Sequence, residues 1–304
     1  MDNLSLIKVE KKLNKRHLAL FILCILLVIL LTIVVCRKIN IAILKYAEEQ
    51  SAKVLTQTQD NAIMNNEIIE EAEKQKEIDK YKALSAEDID KTSKIYAHSD
   101  VKRVFLTFDD GPTKQVTPYI LDELKKENIK ANFFVLGYKV EINPELVKQE
   151  YSLGHFIGNH GYSHRYSQVY ASVDSVLDEY NKTQQIIRNA IGNQNYNSLI
   201  FRFPGGTSGG PYNDLKLEAS EKLKAQGVSN IDWNALTNDA DGANTKEQIM
   251  DNFYRTVQGK SSVVLLMHDA ADKILTYETL PDIINYFKQN GYEFETIYDL
   301  LGRE

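Results

Sequence analysis

The stretch Val104-Phe105-Leu106-Thr107-Phe108-Asp109-Asp110-Gly111-Pro112 decides how this chain is read. Its first five residues are apolar or β-favouring and read as a buried strand. Gly111-Pro112 stops that strand in a tight turn. These are the first Gly and the first Pro in 304 residues, so nothing upstream breaks a helix. Two carboxylates at a strand end suit chemistry better than packing, because neighbouring side chains on a strand diverge and can take separate tasks. A plain Asp-Asp-Gly-Pro surface turn would carry the same residues. The rest of the chain has to choose between the two.

From Val101 onward, strand-like apolar runs alternate with amphipathic stretches. The runs are 102–109, 131–137, 155–159, 199–204, 228–234, 262–267 and 292–297. The amphipathic stretches are 116–128, 144–152, 172–191, 214–226, 245–258 and 276–289. Seven strands alternating with helices predict a parallel α/β sheet, open or closed as a barrel. Either form puts its site at the carboxyl ends of the strands, and reactive residue types cluster there. Asp109-Asp110 ends the first strand, and His160 and His164 follow the third. Arg202 ends the fourth, Asp232-Trp233-Asn234 the fifth and His268-Asp269 the sixth. His155 is counted in the same regions.

The spacing of His160 and His164 would put two imidazoles on one face of a helical turn, able to share a metal. Two surface histidines would show the same spacing. One carboxylate of the Asp109–Asp110 pair would complete an Asp-His-His set, which suits zinc, with cobalt, nickel or manganese as alternatives. Three protein ligands leave a position for water, as hydrolytic sites do. The other carboxylate then suits a general base. Arg202, between Phe201 and Phe203, is the candidate that holds it ionised from a buried stem. His268 is the candidate general acid, with Asp232 as the carboxylate that raises its pKa. Trp233, the only tryptophan, would wall a small apolar pocket with Leu266.

These motifs resemble the polysaccharide deacetylases of carbohydrate esterase family 4, the NodB-homology domain. Five matches run in order over residues 100–300: Thr107 to Pro112, His160 to His164, Arg202 to Gly206, Asp232-Trp233-Asn234, and Leu266-Met267-His268. The resemblance implies a distorted (β/α) barrel of about seven strands and metal-dependent removal of N-acetyl groups from sugars. It implies Asp109 as catalytic base, and Asp110, His160 and His164 as metal ligands. Arg202 would position Asp109, His268 would be the acid tuned by Asp232, and Trp233 and Leu266 would receive the acetyl methyl. A backbone N–H near Gly205 would help hold the oxyanion. Two departures stand out. Gly161 replaces the usual Ser or Thr after the first histidine, removing a hydroxyl that would brace the loop. Arg202-Phe203-Pro204-Gly205-Gly206 lacks the aromatic of the usual Arg-Pro-Pro-Tyr-Gly, which would open the groove.

The remainder of the chain fits an anchored enzyme. Leu18 to Cys36 is 19 residues without a charge, about the length that crosses a hydrocarbon core of ~30 Å. It runs into Arg37-Lys38 without a small-residue cleavage site, so an uncleaved anchor is expected. Residues 1–36 carry five Lys/Arg against two Asp/Glu, which places the N-terminus inside. Residues 37–99 have no Gly or Pro and read as a long helix to about Leu84, then a short one behind a Ser85–Asp88 capping box. The expected domains are a cytoplasmic tail (1–17), a transmembrane anchor (18–36), a helical stalk (37–99) and a catalytic domain (100–304). Net charge is −6 without strong patterning, which gives no support for nucleic-acid binding. Cys24 and Cys36 offer neither a disulfide framework nor a cysteine metal site. The expectation is a single-pass membrane protein of a Gram-positive bacterium, its extracellular domain acting on cell-wall glycan, with peptidoglycan N-acetylglucosamine as first choice.

Overall fold

The computed structural model describes residues 3–303, with side chains from Lys15 onward. Part of the expected 1–17 tail therefore lies outside the described residues. Contacts divide the chain into two units that meet between Lys74 and Gln75. The first is carried by helix α1 (Asn3–Lys80), whose last residues belong to the second unit. Apolar side chains from Leu18 to Val35 are exposed along this helix. It is long and apolar enough to cross a membrane, and nothing in its sequence interrupts the i→i−4 ladder.

The second unit alternates helices and strands. The helices are α2 (Ala86–Ser93), α3 (Thr117–Glu127), α4 (Gly137–Ile142), α5 (Pro144–Ser152), α6 (Tyr166–Val169), α7 (Val173–Ile191), α8 (Asn213–Ala225), α9 (Lys246–Val257), α10 (Ile274–Gln289) and α11 (Ile297–Leu301). The strands are β1 (Arg103–Asp109), β2 (Asn132–Val135), β3 (Phe156–Asn159), β4 (Ile200–Phe201), β5 (Ser229–Asn230), β6 (Ala235–Leu236), β7 (Ser262–His268) and β8 (Glu293–Phe294). All pairings are parallel, in the order β5-β4-β3-β2-β1-β7-β6. β8 pairs with Arg103 and Val104 of β1, while β2 takes Thr107 to Asp109.

Of the expected strand 228–234 only β5 forms, and β6, just beyond it, lies on the opposite edge of the sheet. Five Cα steps, from Asn230 to Ala235, join those edges, and five residues span at most about 18 Å. The sheet is therefore curled into a distorted (β/α) half-barrel. Side chains explain the split. Arg202 takes the carbonyls of Ile231 and Asp232, while the Asn234 amide pairs with Val264 N–H and Ser262 C=O of β7 at 2.8 and 2.9 Å. Neither Gly nor Pro marks that crossing.

Buried Phe105, Phe108, Phe133, Phe134, Phe156, Phe253 and Phe287 fill the space within and around the sheet. The capping box forms as read, with Ser85 as N-cap and Asp88 answering its backbone N–H. Residues 75–99, expected as stalk, belong to this unit. Tyr81, Leu84 and Ile95 are buried in its core. Leu84 N–H donates to Gly227 C=O at 2.8 Å, Ser262 Oγ donates to Ile95 C=O, and Arg303 pairs with Asp88 at 2.7 Å. Gly227 and Ser262 lie at strand starts, so this segment covers the end of the sheet opposite the strand-end carboxylates.

Candidate metal centre and strand-end site

β1 carries Asp109 and Asp110 to the carboxyl end of the sheet. Asp109 is still in the strand, whereas Asp110 has a left-handed φ of 73°, so the two carboxylates leave the backbone differently. A cis Gly111-Pro112 bond follows. Lys139 donates to Asp110 C=O at 2.6 Å, and Asp269 N–H donates to Asp109 C=O at 3.0 Å. Position 111 must be glycine, because a Cβ there would overlap the Asp269 carboxylate.

Asp110, His160 and His164 form a metal-ligand group whose donor atoms lie within 4.8 Å of one another. Asp110 Oδ1 is 3.5 Å from His160 Nε2 and 3.3 Å from His164 Nε2. Ligand atoms on a tetrahedral ion with bonds of about 2.0–2.1 Å stand at that separation. The chemistry of the donors fits a divalent cation. His160 Nδ1 lies 2.7 Å from Arg202 C=O, so Nδ1 carries the proton and the Nε2 lone pair faces the cluster. Burial, opposed by Asp109 and Asp110, lowers the His160 pKa and favours the neutral ligand form. Burial works against charge on Asp110, but the His160, His164 and His268 imidazoles and Lys139 outweigh it and lower its pKa. Asp110 Oδ1 is buried without a hydrogen-bond donor, an arrangement a cation satisfies. The histidines do not sit on a helical turn as expected. They bound the loop after β3, and His164 has a left-handed φ of 55°.

Asp109 lies beside this cluster, its Oδ2 3.8 Å from His160 Nε2. Its Oδ1 accepts from Arg202 at 2.8 Å. Arg202 is wholly buried and also reaches Thr107 Oγ1 at 2.7 Å and the carbonyls of Ile231 and Asp232, each at 2.9 Å. The guanidinium stacks 3.9 Å from the centre of the Phe134 ring. Each of the three guanidinium nitrogens donates, four bonds in all, so the ion pair is well satisfied and Asp109 is fixed.

The expected partnership of Asp232 with His268 does not form. Asp232 follows β5, at the edge of the sheet away from β7, and its carboxylate accepts from Thr207 N–H at 3.0 Å and Thr207 Oγ1 at 2.9 Å. It pins the loop after Arg202. The carboxylate on His268 is Asp239, which follows β6, the neighbour of β7. Asp239 Oδ1 is 2.9 Å from His268 Nδ1, and Oδ2 accepts from His268 N–H and Thr276 Oγ1, each at 2.8 Å. Burial lowers the imidazole pKa. The Asp239 hydrogen bond and charge, with Asp109 and Asp110 behind, overcome this and push it up to about 9. Asp239 was missed because the Ala235–Leu236 strand is too short to show in the pattern; the Asn238-Asp239 pair after it was the available signal.

Trp233 is partly buried against the core, and Leu266 lies on β7 and is mostly buried. The missing aromatic of the Arg202 motif does not leave a gap. A Cβ at Gly205 would overlap the hydroxyl of Tyr166, which follows the metal loop. His155 stands at the start of β3, the opposite end from the site. Its Nδ1 accepts from Ala131 N–H at 3.1 Å, and burial, then Lys130, lowers its pKa to about 4. A hollow of about 340 Å³ beside the metal loop is lined by Tyr138, Tyr162, Ser163, Arg165 and Gln168. A larger cavity of about 690 Å³, which includes His155, lies at the far end, away from this chemistry.

Residues 97–228 match the polysaccharide deacetylase family. A peptidoglycan-N-acetylglucosamine deacetylase of Listeria monocytogenes is 34% identical over 203 residues, covering 67% of this chain and 40% of that protein. This chain thus spans well under half of that relative's length. One from Bacillus cereus is 32% identical, covering 66% of this chain and 88% of its own length. Among solved structures, a family 4 carbohydrate esterase from Streptococcus mutans superposes with a TM-score of 0.62 at 31% identity, over 70% of this chain and 91% of that one. With five motifs in order, a parallel half-barrel and these matches, the chain belongs to the NodB-homology polysaccharide deacetylases of carbohydrate esterase family 4.

Proposed function

We propose that the protein is a metal-dependent N-deacetylase that hydrolyses the N-acetyl amide of N-acetylhexosamine residues in cell-wall glycan. Peptidoglycan N-acetylglucosamine is the first choice of substrate. The observation that carries this reading is the pairing of two differently held carboxylates: Asp110 faces two imidazoles, while Asp109, 3.8 Å from one of them, is clamped by Arg202. Named relatives that act on peptidoglycan N-acetylglucosamine support the substrate class.

Asp110, His160 and His164 would hold the ion, with zinc as the first candidate. Bound there, it would acidify a water and polarise the acetyl carbonyl. Asp109, held in place by Arg202 at 2.8 Å, would act as the base toward the attacking water. His268 donates a proton to the sugar nitrogen as the carbon–nitrogen bond breaks, leaving acetate and a free amine. Asp239 holds the His268 Nδ1–H, which leaves Nε2 for the substrate. The Gly205 backbone N–H would help receive the oxyanion, and Trp233 and Leu266 would receive the methyl group.

We place the catalytic unit outside the cell, on an N-terminal anchor in the membrane of a Gram-positive bacterium. The test is acetate release from N-acetylated glycan fragments and from peptidoglycan by the purified protein, with mass spectrometry of wall glycans made with and without it. Asp109→Asn is expected to abolish release and to keep ion binding. Release by that variant at the wild-type rate would refute the assignment.

A further inference from the structure

The loop that carries both histidines lacks the hydroxyl that the family pattern places after the first of them. Its brace comes from elsewhere in the chain. Glu179, in the middle of α7, lies beneath the loop with both carboxylate oxygens engaged. Its Oε2 accepts from Tyr162 N–H at 2.5 Å and Ser163 N–H at 2.7 Å, and its Oε1 accepts from Ser163 Oγ at 2.7 Å. Ser163 Oγ in turn accepts from Arg165 N–H at 3.2 Å. The contacted residues lie between the two ligands, so one side chain governs the path from His160 to His164.

Two further observations agree. A Cβ on Gly161 would stand 3.3 Å from Glu179 Oε2, and the φ of this glycine is +82°. A side chain at 161 would therefore crowd the carboxylate and strain the backbone together. The next residue on the helix also holds the loop, since Tyr180 C=O accepts from the Asn159 amide at 2.9 Å and Asn159 Oδ1 accepts from Gly161 N–H at 2.9 Å. His164 has a left-handed φ, which a non-glycine residue keeps only where its surroundings enforce it. Carboxylate hydrogen bonds to consecutive backbone N–H groups are of the strong, charge-assisted kind.

We propose that Glu179 is a positioning residue for the metal centre: it sets the spacing of His160 and His164 and thereby the affinity of the site. This rests on the reading that Asp110, His160 and His164 hold an ion. Outer-shell partners of this kind typically change metal affinity by about 10–100-fold. Glu179→Gln keeps an acceptor for both N–H groups and can donate to Ser163 Oγ, so it should restore most of what Glu179→Ala loses.

The experiment is a competition titration of zinc against a chromogenic chelator, using full-length protein in detergent micelles. It is paired with amide hydrogen exchange of residues 160–165 in ion-free protein. Glu179→Ala is expected to weaken zinc binding by about 10–100-fold and to speed exchange in this loop, with Glu179→Gln within a few-fold of wild type. If Glu179→Ala does not fold, Ser163→Ala removes one of the three bonds and should show a smaller loss in the same direction. A wild-type zinc affinity in either folded alanine variant, with only the melting temperature lowered, would overturn the proposal. Failure of the wild-type protein to take up any divalent ion would overturn the metal reading and this inference with it.

Discussion

On the proposed mechanism, replacing Asp239 by Asn should make acetate release depend on pH in a new way. His268 has a pKa pushed up to about 9, against an ordinary value of 6.5. The difference corresponds to about 3 kcal/mol of preference for the imidazolium. Asp239 is the principal raising influence; after the substitution, burial of the ring, the largest single influence, still lowers the pKa against the remaining charges of Asp109 and Asp110. The variant imidazole should therefore titrate at or below about 6.5. At pH 5.5 the proton donor is then nearly fully present in both proteins. At pH 8 about nine-tenths of wild-type molecules keep the proton, against about 3% of the variant. The ratio of wild-type to variant acetate release should grow by roughly 30-fold across that range, on top of any constant loss from a less well-oriented ring. The same linkage has a sign for stability. A histidine raised in the folded state stabilises fully below pH 6.5 and loses that contribution as pH rises through about 9. A pH–rate series with both proteins, and NMR titration of the His268 ring, are the measurements. A ratio that stays flat with pH, or a wild-type ring that titrates near 6.5, would refute the reasoning.

Three other outcomes are expected. Arg202→Met leaves Asp109 buried and unpaired, so it should cost about 3–5 kcal/mol, seen as a fall in melting temperature on the order of 10 °C together with loss of acetate release; an unchanged melt would contradict the clamp. Glu150 is wholly buried in α5 with neither carboxylate oxygen partnered, and burial, then Asp269, raises its pKa well above 4.5. Its folded form favours the proton, so stability should fall as pH rises above 4.5, and Glu150→Met should raise the melting temperature at pH 8 while changing it little at pH 4. A fragment beginning at Gln75 should melt cooperatively, whereas one beginning at Val101, without Tyr81, Leu84 and Ile95, should melt lower by calorimetry; equal melting would argue against the docking of residues 81–95.

The alternation of strands and helices was legible because parallel strands covered on both faces read as continuous apolar runs, and β1 and β7 are long enough to show it. The burial of Arg202 was legible because Phe201 and Phe203 announce an apolar setting for a charge that must then be paired, and the structure pairs it with Asp109. Asp239 was not legible. It depends on a crossing at Ile231 to Asn234 that is made by an arginine and an asparagine side chain bonding to backbone, and local propensity carries no trace of such bonds. The boundary at residue 100 failed for a related reason. Tyr81 and Leu84 sit in a polar sequence without a strand pattern, and only the packed structure reveals that a groove awaits them. His160 and His164 were chosen for helical spacing, yet a loop brings them together through left-handed backbone that spacing alone does not encode.

Arg202 has a bearing on how the protein folds as well as on what it does. Its side chain touches residues at the ends of β1 and β5, it follows β4 itself, and its carbonyl faces His160 after β3. A guanidinium brought into that interior before its partners arrive would be an unpaired buried charge, which is strongly unfavourable. Half-assembled forms of the barrel mouth are therefore sparse, and the four strand ends close as a cooperative unit. Loss of acetate release on denaturant titration should then coincide with loss of tertiary structure, since the same contact completes both.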